Sequence, residues 1–153
     1  MVMSLLRRKE YEMARVGLLE DNTRIAKLCA TMLQFAGHIV EVYEHPRACL
    51  NALMTPIAVG DVRMQGRMVT PSSLPIEVLI LDLQLPDMTG IEVLQRLQAH
   101  AQTRMLPVIF CTAATTNEIV RALRVAPHAY VVEKPFKLDV LVSTVGSALA
   151  PLK

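Results

Sequence analysis

No apolar run in the 153 residues approaches the ~20 needed to cross a bilayer as a helix, because charge or proline interrupts each one. A strong charge of either sign is also missing. The chain has 16 Lys and Arg against 14 Asp and Glu, a net charge of +2, too mild to argue for nucleic acid. Its one short basic cluster, Arg7-Arg8-Lys9, has no aromatic interleaving and reads as a solvated face. Cysteine is scarce and odd in number: Cys29, Cys49 and Cys111 have no metal-ligand spacing, and Cys29 and Cys111 fall within apolar patterns as small buried hydrophobes. Met1 to Leu6 precede the basic cluster, the reverse of a secretory signal, so the cytoplasm is the expected location.

What is abundant is apolar side chain: 52% of residues, with mean hydropathy +0.36. That suits one domain whose sheet is covered by helices on both sides. Val78 to Leu81 form a branched apolar run that ends abruptly on Asp82, as a strand buried on both faces would. Pro86 and Gly90 punctuate a loop, and Ile91, Leu94 and Leu97 begin a helical stripe running to about Ala101. Arg15 to Leu19 read as a first strand ending on Glu20 and Asp21. Asn22 or Thr23 then caps a helix with Ile25, Leu28, Cys29, Met32 and Phe35 on its apolar face and Gly37 at its end. Ile39 to Tyr43 alternate like a strand near an edge, and Pro46 opens a short second helix. Leu106 to Cys111 and Tyr130 to Val132 supply two more strands. Helices follow each of them, one with Ile119, Val120 and Leu123, the last with Leu138, Leu141, Val142, Val145 and Leu149. Five strands alternating with five helices predict an α/β, doubly wound parallel sheet. Residues 1–13 are an amino-terminal extension, and 55–75, without clear periodicity, an inserted loop between helix 2 and strand 3.

In a parallel sheet all carboxyl ends lie on one edge, where open α/β folds bind their ligands. Here those ends carry Glu20 and Asp21, Asp82, Thr112 and Lys134. Three clustered carboxylates repel one another unless a cation is present, and hard oxygen ligands suit Mg²⁺. A carboxylate flanked by a hydroxyl donor, a lysine and a metal has what an attacking oxygen needs to accept a phosphoryl group.

With Glu20-Asp21, the block from Asp82 to Gly90, Thr112-Ala113 and Lys134-Pro135-Phe136 in this order, the chain resembles the receiver domain of two-component response regulators over residues 14–150. The resemblance implies a flavodoxin-like strand order, 2-1-3-4-5, with Asp82 as phosphoacceptor. It implies Asp21 as a direct Mg²⁺ ligand, Glu20 mainly through water, and the backbone carbonyl of Gln84 as a further ligand. Thr112 would be the switch hydroxyl, Lys134 the phosphate partner, Pro135 a cis-peptide candidate, and Gln84 and Ala114 the positions that tune access of hydrolytic water. Implied partners are a histidine kinase or histidine phosphotransfer protein and a downstream protein bound at the face of helix 4, strand 5 and helix 5. A homodimer is compatible with that reading; a DNA or membrane partner is not expected, and no output domain is expected after the last helix.

Two departures stand out. The family usually carries an aromatic switch residue three positions before the lysine; here Val131 holds that place and Tyr130 precedes it. Either a bulge turns Tyr130 to the required face or the usual threonine–aromatic coupling is altered. Ala126-Pro127 also replaces the family's Gly-Ala before this strand. Among competing functions, a phosphorylation-independent interaction module shares the fold but has no need of the acid pocket. An aspartyl phosphatase would want a general acid two residues after its nucleophile, where Gln84 cannot serve. The chain is therefore expected to catalyse only its own phosphorylation and dephosphorylation.

Overall fold

The computed structural model describes residues 13–54 and 74–150; nearly all of the extension expected at 1–13 and of the insertion expected at 55–75 lies outside the described residues. Strands β1 (Arg15–Leu19), β2 (Ile39–Tyr43), β3 (Val78–Leu81), β4 (Val108–Thr112) and β5 (Tyr130–Glu133) form one parallel sheet in the order β2-β1-β3-β4-β5. The described helices are α1 (Thr23–Phe35), α2 (Pro46–Met54), α3 (Gly90–Gln98), α4 (Ala101–Arg104), α5 (Thr116–Val125) and α6 (Leu138–Leu149).

Central β3 shows why an unbroken apolar run is required. Val78 and Ile80 point into the layer under α1 and α6, Leu79 and Leu81 into the layer under α2, α3 and α5, and all four are wholly buried. Phe110 on β4 and Leu94 on α3 fill the second layer; Leu33, Leu141 and Val145 fill the first.

Local signals set the ends of α1. Asn22 Oδ1 accepts the N–H groups of Arg24 and Ile25, satisfying two donors that the first helical turn leaves unpaired. At the other end Gly37 adopts φ 103°, and the N–H groups of Gly37 and His38 donate to Gln34 and Leu33. Between the caps, however, the face is rotated from the one its large apolar residues suggest. The buried positions are Ala26, Cys29, Ala30 and Leu33, while Leu28 is 51% and Phe35 84% exposed. Two alanines and a cysteine hold inward positions beside Leu33, while Leu28 and Phe35 are turned outward.

The third helix is also shorter than its stripe implies. It ends at Gln98, and Ala101–Arg104 forms a separate single turn, giving six helices among the described residues rather than five. Buried Thr103 donates its hydroxyl to the Leu97 carbonyl at 2.6 Å, folding the chain back over the end of α3.

Candidate functional site

Glu20, Asp82, Thr112 and Lys134 each sit at the last step of a strand or one step beyond it, held by extensions of the ladders. The Asp82 N–H donates to the Leu19 carbonyl, the Glu20 N–H to Tyr43, and the Lys134 N–H to Thr112. Lateral pairing of β1, β3, β4 and β5 therefore brings one acid, another acid, a hydroxyl and an ammonium to the same edge.

The side chains meet there. Lys134 Nζ donates to Asp82 Oδ2 at 2.8 Å and to Glu20 Oε1 at 2.7 Å. Asp82 Oδ1 accepts the Thr112 hydroxyl at 2.9 Å and the Gln84 N–H at 3.0 Å. Glu20 Oε2 accepts the Asn22 N–H. Glu20, Asp82 and Thr112 are buried, whereas Asp21 is exposed at the rim. Among the described residues no buried side-chain polar atom lacks a partner, as a low-dielectric setting requires.

Electrostatics here are a contest between burial and pairing. Burial pulls Lys134 toward neutrality, but the hydrogen bonds and charges of Asp82 and Glu20 outweigh it, and the ammonium is held above its ordinary range. Burial pushes the Glu20 carboxyl up from the usual carboxylate range, with the Lys134 hydrogen bond and the Asn22 N–H opposing. One ligand atom each from Glu20, Asp21 and Asp82 lies within 4.8 Å of the others. Three carboxylates against one ammonium (3 − 1) leave a formal −2, so a hard oxygen-liganded cation such as Mg²⁺ fits the donor set. Gln84, whose N–H already touches Asp82, keeps its backbone at this site.

The remaining positions divide. Ala114 gives its N–H to Thr112 Oγ1 at 3.1 Å. The Lys134–Pro135 bond is cis. Along β5 the register with β4 is regular, Phe110 opposite Val131 and Thr112 opposite Glu133. No bulge interrupts it, so Val131 shares the Thr112 face while Tyr130 lies on the other, its hydroxyl on the Ser147 carbonyl of α6.

Sequence reasoning missed the two helix starts that flank the site. Thr89 with Glu92 opens α3 and Thr115 with Glu118 opens α5, each by a reciprocal pair of bonds. Their Thr-x-x-Glu spacing is readable without a structure. Gly90 does more than punctuate a loop. A Cβ there would fall 2.6 Å from Leu83 Cα and 2.7 Å from the Asp82 carbonyl oxygen, so α3 presses directly on the Asp82 loop.

Residues 16–146 match the response regulator receiver domain model. The chain belongs to that family. It is similar to the phosphate regulon transcriptional regulatory protein PhoB of Rhizobium meliloti, 38% identical over 95 residues that cover 61% of this chain and 38% of the relative. It is also similar to the chemotaxis protein CheY of Pseudomonas aeruginosa, 38% identical over 66 residues that cover 42% of this chain and 52% of the relative. The chain thus spans about half or less of these relatives' own length. Among solved structures, a putative response regulator from Chloroflexus aurantiacus superposes with TM-score 0.71 at 20% identity, covering 92% of this receiver and all of that chain (100%). Vibrio cholerae CheY4 gives 0.67 at 23%, covering 90% and 99%, a likeness of fold. Receivers are signalling domains of two-component systems, and no helix among the described residues of this one is long and apolar enough to cross a membrane.

Proposed function

We propose that this receiver accepts a phosphoryl group on Asp82 from a histidine kinase or histidine phosphotransfer protein, and signals by phosphorylation-dependent protein interaction or by onward relay. An Asp82 carboxylate oxygen attacks the phosphorus of the donor phosphohistidine. The P–N bond breaks with its electron pair going to the imidazole nitrogen, which takes a proton from solvent, and an acyl phosphate forms on Asp82. Attack of water on that phosphorus later releases inorganic phosphate and restores the carboxylate.

The observation that carries this reading is the pairing of the Asp82 oxygens: one with Lys134, the other with Thr112 and the Gln84 N–H. Those donors hold the nucleophile's orientation and are placed to follow negative charge onto the equatorial oxygens of the incoming group. Mg²⁺ held by Glu20, Asp21, Asp82 and the Gln84 carbonyl would supply Lewis-acid neutralisation of phosphoryl charge. The proposed output face is α5–β5–α6, where Val120, Tyr130 and Val140 each leave a large apolar side chain exposed.

Incubation with acetyl phosphate and Mg²⁺ followed by intact-protein mass tests the reading. Wild type should gain the mass of one phosphoryl group and Asp82→Asn should not. An unmodified wild type would transfer the protein to the phosphorylation-independent class, an interaction module with the same fold.

A further inference from the structure

Thr112 stands at a fork. Its fully buried hydroxyl donates to Asp82 Oδ1 and at the same time accepts the Ala114 N–H. Ala114 directly precedes Thr115, whose reciprocal bonds with Glu118 form the cap of α5. Hydrogen bonds weaken steeply once distance and angle leave a narrow range. A hydroxyl drawn outward to a phosphoryl oxygen on Asp82 therefore stretches its bond to Ala114, and through that bond the first turn of α5 is linked to Asp82.

The neighbouring strand is anchored elsewhere. Val131, on the Thr112 face, is short, β-branched and stiff at χ1, and it packs against the layer under α3 and α5. Tyr130 reaches away on the opposite face: its hydroxyl donates to the Ser147 carbonyl at 3.2 Å, which also accepts the Ala150 N–H at the end of α6. Val132, Leu141 and Val145 join the same strand and helix through the core. Nothing bulky on β5 is placed to follow Thr112, and β5 is fastened to α6 at the surface and beneath it.

We propose, on the reading of Asp82 as phosphoryl acceptor, that phosphorylation is transmitted through the Thr112–Ala114 bond to the amino-terminal turn of α5, while Tyr130 braces β5 and α6 as a wall that stays in place. The phosphorylation-sensitive part of the output face is then its α5 side, and a partner that discriminates the two states reads that turn.

Hydrogen–deuterium exchange of the full chain, with and without Mg²⁺ and beryllofluoride as phosphoryl mimic, tests this, with occupancy read independently by fluorine NMR. Exchange over 113–120 should change by about fivefold, the worth of one hydrogen bond, and exchange over 130–150 should not. Tyr130→Phe should speed exchange at the end of α6 in both states and leave the response at 113–120 intact. Bound beryllofluoride with a change over 130–150 as large as that over 113–120 overturns the transmission route, as does loss of the 113–120 response in Tyr130→Phe. Absence of any bound fluorine signal overturns the Asp82 reading and the route together.

Discussion

Asp21→Asn removes one charge from a pocket in which three carboxylates face one ammonium. The ligand oxygens of Glu20, Asp21 and Asp82 lie within 4.8 Å of one another, and Lys134 is already committed to the other two acids. Like charges at that separation repel by about 0.9 kcal/mol at the dielectric constant of water and by about 3.5 kcal/mol at the effective value of a protein surface. Asp21 is exposed, which places its repulsions near the lower figure. It faces two such neighbours, and attraction to Lys134 cancels roughly one of them, leaving about 1 kcal/mol to be regained. In low-salt buffer with a chelator, the variant should melt above wild type by about 3 °C, and the gain should shrink as salt is added. Millimolar Mg²⁺ should reverse the order. An ion at free concentration c that binds only the folded state stabilises it by RT ln(1 + c/Kd), and the substituted amide would be a weaker, uncharged ligand. Wild type should therefore gain melting temperature with Mg²⁺ and the variant little. A metal-free variant that melts below wild type, or one with an undiminished Mg²⁺ response, would rule out carboxylate repulsion relieved by the ion.

Two further outcomes follow from packing and burial. Gly90→Ala places a methyl against two backbone atoms of the Asp82 loop, which cannot rotate aside, so denaturant unfolding should show a loss of about 2 kcal/mol and acetyl-phosphate labelling should slow; unchanged stability and labelling would remove Gly90 from the account. Burial pushes the thiols of Cys29 up to about 11 and of Cys49 and Cys111 up to about 12. At pH 8 the folded protein should resist a thiol reagent that titrates all three cysteines in guanidinium, and rapid labelling of any one in the native state would contradict this.

Much of the architecture was legible because its signals are local. A short branched apolar run bounded by Pro75 and Pro86 reads as a buried strand, and the matching strand ends elsewhere in the chain placed its acid at the sheet edge. Asn22 and Gly37 bracket α1 because a side-chain acceptor and a left-handed residue are needed at just those places, whatever lies beyond. The Thr-x-x-Glu spacings at Thr89 and Thr115 are signals of the same kind, although sequence reasoning passed over them. Helix phase was less legible. Periodicity alone favoured the large residues Leu28 and Phe35, whereas packing against the sheet put Ala26, Ala30 and Leu33 inward. The same limit hid Cys49, which lies wholly buried on the inward face of α2.

Composition, strand termini and caps, each carried by a few consecutive residues, determined by themselves that this chain builds a parallel sheet with acids, a hydroxyl and a lysine along one edge. How those groups bond depends on contacts far apart in the chain. Lys134 meets Glu20 across 114 residues and Asp82 across 52, and Thr112 reaches Asp82 across 30. The tertiary structure likewise turned Tyr130 toward α6 and left Val131 beside Thr112, because the face a side chain takes is set by the register of strands far apart in the chain.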